Sequence, residues 1–229
     1  MFGSKGPAAG HRFEPASPLT FCVMKQKHLE IKLQQHVKPF SAPKVELEQY
    51  HTPPDIAATV VHCMFANGDV EGLRVCDLGC GTGMLSVACA LMGASSVVGV
   101  DLDKEALQVM AENLAALGEQ LPIAIEMVNA EVSEYRTECD VVVMNPPFGT
   151  RCKGADMLFV KTAAAIGHIV YSMHKTSTRK HVHKAALALG LQGDAIAQLR
   201  YNLDKTHDFH KKKSVDIEVD LWRWTTHKE

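Results

Sequence analysis

Short apolar runs alternate with longer amphipathic ones between residues 73 and 224, and this alternation restricts the fold more than any other property of the chain. Strand patterns fall at 73–78, 97–100, 123–128, 140–144, 169–173, 196–201 and 215–224; helical patterns fall at 83–91, 104–117, 157–166 and 175–189. Parallel strands cannot be joined by tight turns, and each face of such a sheet must be covered by the helices that join them. Seven strands with helical crossovers therefore predict a doubly wound α/β sandwich, a mostly parallel seven-stranded sheet with helices on both faces. The last strand follows another strand with no helix between, so it is expected to run antiparallel.

Two helices are expected ahead of this core. One covers 25–35 and ends near Pro39; in the other, Thr52 followed by Pro53 predicts a start with the hydroxyl as cap and proline in the first turn. Ile56, Ala57, Val60, Val61 and Met64 then supply a buried stripe that ends near Gly68. Residues 1–23 mix Gly, Pro, Ser and Ala without periodicity and read as a disordered extension, with Met24 as an alternative start; 24–229 reads as one domain. No apolar run reaches the roughly 20 residues needed to span a bilayer, so no membrane association is expected. Seven cysteines without a CxxC pair or zinc spacing point to reduced thiols inside the cell and imply no metal. The net charge of -2 gives no overall attraction to nucleic acid, so any such contact must come from local basic clusters.

Asp77-Leu78-Gly79-Cys80-Gly81-Thr82-Gly83 lies where the first strand meets its helix, the ligand-binding end of a doubly wound sheet. The glycines let the backbone approach a ligand, and Asp77 can accept from an ammonium or orient the loop. A glycine-rich turn alone also fits a dinucleotide. The GxGxG spacing, preceded by Asp77 and followed at the next strand's end by Asp101, looks like the Rossmann-like class I methyltransferase pattern, in which Asp101 would take both cofactor ribose hydroxyls. Glu131 is placed to receive an adenine amino group and Val132 to offer a backbone amide. Gln49 and Thr52 precede a helix and could equally cap it.

Asn145-Pro146-Pro147-Phe148 follows the fourth strand and emerges at the same sheet edge. An exocyclic amino nitrogen conjugated to a ring is a poor nucleophile, because its lone pair is delocalised. Acceptors on Asn145 and the Pro146 carbonyl can take its two N–H groups, while Pro147 stiffens the loop and Phe148 offers a stacking plane worth about 1–3 kcal/mol per base. The tetrapeptide does not choose among adenine, cytosine and a protein glutamine, which all pose the same problem.

Over about residues 24–224 the chain closely resembles the methyltransferase-like protein five family, which methylates N6 of adenosine in small-subunit (18S) ribosomal RNA. The likeness rests on Leu47-Glu48-Gln49-Tyr50 with Thr52, Asp77-Leu78-Gly79-Cys80-Gly81, Met144-Asn145-Pro146-Pro147-Phe148-Gly149-Thr150, Tyr171-Ser172-Met173-His174-Lys175 and the run from Phe209 through His210-Lys211-Lys212-Lys213-Ser214-Val215-Asp216 to Leu221. It implies S-adenosyl-L-methionine as cofactor, held by Gln49, Thr52, Gly79, Thr82, Met84, Asp101, Glu131 and Val132, with Asp77 and Gly81 in the loop and Asn145 and Phe148 at the adenine. It further implies a small zinc-binding activator subunit and action in the nucleus, nucleolus included, and cytoplasm. Ile123-Ala124-Ile125-Glu126-Met127-Val128 is expected to be an edge strand, a shape that invites pairing with another chain. A DNA or protein-glutamine amino methyltransferase, or a non-catalytic ribosome-assembly scaffold, are the competing readings.

His210, Lys211, Lys212 and Lys213, with Lys175, Arg179 and Lys180 at the start of a helix, supply the local positive charge that RNA requires. His174, His181 and His183 are expected at the surface or facing RNA, and Trp222 and Trp224, on one strand face, in the core.

Overall fold

A computed structural model describes residues 24–203 and 215–226; the expected extension at 1–23 and the basic residues His210, Lys211, Lys212 and Lys213 lie outside the described residues. In chain order the elements are α1 (Gln26–His36), α2 (Pro54–Ala66), β1 (Arg74–Leu78), α3 (Met84–Leu91), β2 (Ser96–Asp101), α4 (Lys104–Leu117), β3 (Ile125–Asn129), β4 (Cys139–Met144), α5 (Ala155–Ile166), β5 (Gly167–Lys175), α6 (Arg179–Ala188), β6 (Leu191–Leu203) and β7 (Val215–Thr226). They form one seven-stranded sheet ordered β3-β2-β1-β4-β5-β7-β6. The first five strands are parallel, and β7 runs antiparallel to both neighbours, as its position after another strand requires.

Alternation along the strands divides the core in two. Val75, Val141, Val143, Tyr171 and Met173 pack with apolar residues of α1, α2, α3 and α4, while Cys76, Leu78, Val142, Met144 and Val170 pack with those of α5 and α6. Ile56, Ala57, Val60, Val61 and Met64 are the buried stripe of α2. Trp222 and Trp224 stack in the second core with ring centroids 4.5 Å apart, and the Trp224 indole donates to Ser172 Oγ.

The second half of the chain departs from expectation in several places, and β6 starts at Leu191, five residues ahead of the expected strand. β5 runs on to Lys175, because its ladder with β7 continues to the Lys175–Val219 pair; a single 3-10 turn, Thr176–Thr178, precedes α6. Lys175 is thus a strand terminus, and only Arg179 and Lys180 open the helix. His174 is not at the surface. It faces the core beside Asp220, and burial pushes its imidazole down to about 4, where it is neutral at physiological pH. His183 is partly buried, stacked on Trp222 at 5.8 Å, whereas His181 is exposed.

Candidate active site

The C-terminal ends of β1, β2, β3 and β4 open at one edge of the sheet, and the residues at or just after each contribute to a single cleft of about 260 Å³. Its floor is the loop after β1. Gly79 and Gly81 have φ of +72° and +54°, a region that L side chains rarely adopt. A Cβ at Gly79 would stand 2.7 Å from the Phe159 ring, and one at Gly81 equally close to Phe40. The loop is pinned from beneath: the amides of Gly79 and Cys80 both donate to the Val100 carbonyl, and that of Gly81 donates to Asp101 Oδ2 at 2.8 Å. Asp101 also accepts from the Asp103 amide through Oδ1. Each carboxylate oxygen has two acceptor positions, so both keep one for a ligand. Burial raises the Asp101 pKa above the usual carboxylate value, partly offset by those amides.

Behind the floor lies a recess of about 30 Å³ lined by Thr52, Asp77, Thr82 and Met84. Asp77 is 1% exposed. Its Oδ2 accepts from the amide and hydroxyl of Ser86 at the start of α3, whereas Oδ1 is buried without a partner. Burial pushes this carboxyl up to about 7. A buried carboxylate oxygen with no donor is costly unless a cation or donor arrives to meet it. The recess therefore fits an ammonium group, and Asp77 both orients the loop and faces that position.

All ten residues expected at a cofactor line the cleft or its recess: Gln49, Gly79, Gly81, Asp101, Glu131 and Val132 the cleft, and Thr52, Asp77, Gly79, Gly81, Thr82 and Met84 the recess. The capping role open to Thr52 and Gln49 is not the one found. The N-cap of α2 is Pro53, and no side chain caps it. Thr52 Oγ1 accepts from Asn145 Nδ2 at 3.0 Å instead, because the extended Pro53 backbone places the hydroxyl toward the cleft rather than over the helix start. Gln49 donates to Asp103 Oδ2 at 2.7 Å and accepts from the Lys44 amide. With the Lys44–Asp103 ion pair, these bonds fasten 44–49 to the start of α4 and form one wall of the cleft.

Asn145 stands where this wall meets the end of β4. Its Nδ2 donates to Thr52 Oγ1 and to the Tyr201 hydroxyl, both at 3.0 Å, and its Oδ1 is buried without a partner. An acceptor is thus held free at the cleft. Pro147 lines the cleft and Pro146 is buried beside it. Phe148 is half-buried, edge-to-face with Tyr201 at 6.5 Å, and Lys175 Nζ sits 5.3 Å from its ring centroid.

Among the expected RNA contacts, Lys175 adjoins this aromatic and also lines a broader groove of about 650 Å³ with Thr176, Ser177 and Arg200. Lys180 is exposed. Arg179 is committed to a bidentate pair with the buried Asp220, at 2.6 and 2.7 Å, which leaves its half-exposed guanidinium only partly available. Among the described residues no group of three or more His, Cys, Asp or Glu side chains is placed to hold a metal ion, and no helix is long and apolar enough to cross a membrane.

Sequence patterns missed Phe40, Tyr50 and Phe159 in the cleft wall, Glu48, and Tyr201. Glu48 sits at φ +51° and accepts from the Arg151 amide at 2.8 Å, joining the wall to the loop after Phe148. Its place in Leu47-Glu48-Gln49-Tyr50 was the available signal. Tyr201 had none, because its contact with Asn145 spans 56 residues.

Residues 58–146 match the family model of ribosomal protein L11 methyltransferase (PrmA). The rRNA N(6)-adenosine-methyltransferase Mettl5 of Drosophila melanogaster is 46% identical over 209 residues, covering 88% of this chain and 96% of that protein. The rRNA N(6)-adenosine-methyltransferase METTL5 of Danio rerio is 44% identical, covering 88% and 99%. Among solved structures, the Pyrococcus horikoshii protein PH1948 superposes with a TM-score of 0.79 at 35% identity, covering 90% of this chain and 98% of that one.

Proposed function

This chain belongs to the methyltransferase-like protein five family of rRNA N(6)-adenosine-methyltransferases, and from that premise we propose that it methylates N6 of an adenosine in small-subunit (18S) ribosomal RNA, using S-adenosyl-L-methionine. The observation that carries the reading is the Asn145 amide, whose two donors are occupied and whose acceptor alone is left at the cleft. An amino group brings N–H donors, so an acceptor is what it needs there.

When bound, S-adenosyl-L-methionine supplies a methyl group made electrophilic by its sulfonium. Asp77 Oδ1 would meet its ammonium, Asp101 its ribose hydroxyls, and Glu131 and Val132 its adenine, over the Gly79–Gly81 floor and with Gln49, Thr52, Thr82 and Met84 around it. Asn145 Oδ1 and the Pro146 carbonyl accept the two N–H bonds of the target amino group. They turn its lone pair out of conjugation and stabilise the positive charge that develops on nitrogen. No side-chain base is required before attack, and the proton made acidic by methylation of the nitrogen then passes to solvent. Phe148 stacks on the extruded adenine, and Lys175, Lys180, part of Arg179 and the basic run His210 to Lys213 draw the phosphates.

The edge position of β3, which pairs with β2 alone and exposes Met127, supports pairing with a small zinc-binding activator subunit. Ribosomal RNA as substrate agrees with action in the nucleus, nucleolus included, and the cytoplasm. Nucleoside mass spectrometry of 18S rRNA treated with the purified chain and its activator is expected to find N6-methyladenosine. Methylated cytosine, methylated DNA or methylated protein glutamine, in place of it, would reject the assignment.

The Asp77 recess predicts a pH dependence. A carboxyl raised to about 7 is largely neutral below that value and must lose its proton to meet an ammonium. Cofactor affinity measured by calorimetry is expected to rise about fivefold from about pH 6 to about pH 7 and to level by about pH 8, about tenfold in all. Asp77→Asn should bind more weakly and flatten the profile; an equally steep profile in that variant would remove Asp77 from the contact.

A further inference from the structure

We propose that Tyr201 is a positioning residue for methyl transfer, acting through the Asn145 amide to decide which of its two ends faces the target amino group. The proposal rests on the reading of Asn145 given above and adds to it a residue far away in sequence.

A primary amide is nearly symmetric in shape, so nothing steric prevents Asn145 from presenting its NH₂ to the cleft instead of its oxygen. The consequence would be severe, since donors would then face the donors of the substrate amino group. What selects the orientation is a short relay. The Tyr201 hydroxyl donates to the His51 carbonyl at 3.1 Å. A hydroxyl has one hydrogen, so toward Asn145 it can only accept, and it does so from Nδ2 at 3.0 Å. Reversing the amide would set Oδ1 against that oxygen's lone pairs, or force Tyr201 to abandon the His51 carbonyl. Thr52 Oγ1, the second acceptor for Nδ2, does not enforce the choice alone, because its own hydroxyl is hydrogen-bonded to Tyr201 and takes its direction from that phenol.

Three features suit Tyr201 to this task. Its ring is 1% exposed and packs edge-on to Phe148, so its position is fixed by the core rather than by solvent. It comes from β6 on the far side of β7, whereas His51 and Thr52 come from the segment before α2, so two parts of the chain remote from Asn145 converge on its amide. Burial pushes the phenol up to about 12, so it keeps its proton throughout the working range and serves as a fixed dipole, not as a base.

The test uses the full chain with its RNA substrate, comparing Tyr201→Phe, Thr52→Val, Asn145→Ala and the pair Tyr201→Phe with Asn145→Ala. Tyr201→Phe keeps the ring and its contact with Phe148. It is expected to lower kcat about tenfold while KM for cofactor and for RNA stays within about twofold, because the lost orientation acts on the reacting nitrogen and not on binding. The loss should be constant from about pH 6 to about pH 9, since no proton is taken by the phenol. In the Asn145→Ala background the same change should cost nothing further. Thr52→Val is expected to lower kcat as well, removing the other acceptor. Wild-type kcat in Tyr201→Phe, a loss confined to KM, or a full tenfold loss persisting in the Asn145→Ala background would each overturn the proposal. Wild-type kcat in Asn145→Ala would instead remove the reading beneath it, so the two failures are distinguishable.

Discussion

Replacing Asn145 by alanine is expected to lower kcat for rRNA methylation by about 10²–10³, with the cofactor dissociation constant changed less than about threefold. The magnitude is that of removing one preorganised polar group from a site where charge develops, about 3–4 kcal/mol. It falls on kcat because the Oδ1 acceptor matters most when the amino nitrogen has begun to bond and its N–H groups have become more acidic. Cofactor binding is spared because Asp77, Asp101 and the glycine floor are held by their own bonds, to Ser86, Asp103 and Val100, none of which includes Asn145. Single-turnover methylation and calorimetry on the same preparation separate the two quantities. A variant that binds cofactor normally and still methylates at the wild-type rate would exclude Asn145 from the chemistry; a variant that has lost cofactor binding would place it in the wrong half of the cleft.

The contrast between Asn145 and Tyr201 explains what a sequence makes visible. Asn145 sits at a strand end whose apolar run, Val141-Val142-Val143-Met144, fixes both its place and its direction; so does Leu78 before the glycine loop, and Val100 before Asp101. Strand periodicity is local physics, and whatever follows a parallel strand arrives at the ligand edge without further information. The relay through Tyr201 depends instead on β7 entering the sheet between β5 and β6. A strand that follows another strand reveals its antiparallel sense, yet not which neighbour it will separate, since that depends on pairing energy summed over the ladders of β7 with β5 and β6. His174 shows the same limit. A histidine near lysines reads as surface, and only its alternation along β5, opposite Asp220, turns it inward. Thr52 was legible as polar and as preceding a helix; that its hydroxyl would serve a residue 93 positions away was not.

The second large effect is expected at the opposite end of the sheet. Asp69→Ala should destabilise the protein by about 3–5 kcal/mol, a fall in thermal midpoint of about 10 °C, without touching the cleft. Asp69 is buried ahead of β1, where it receives Arg223 Nε at 2.7 Å and the Tyr171 hydroxyl at 2.6 Å, binding the start of the first strand to the two strands that pair as β5 and β7. Burial, together with the neighbouring carboxylate, raises the Tyr171 phenol far above its ordinary value, so it donates at any working pH. Removing Asp69 strands a partly buried guanidinium and a buried hydroxyl together, and the cost is mostly theirs. That attribution makes a further demand. Replacing all three residues at once, Asp69→Leu with Arg223→Met and Tyr171→Phe, leaves no orphaned group and should cost less than Asp69→Ala alone, because the desolvation penalty of an ion pair offsets much of its attraction. Chemical denaturation of both proteins decides it. If the triple replacement proves the more damaging, the network contributes net attraction to the fold, and the cost of Asp69→Ala lies in the lost bonds rather than in the charge left behind.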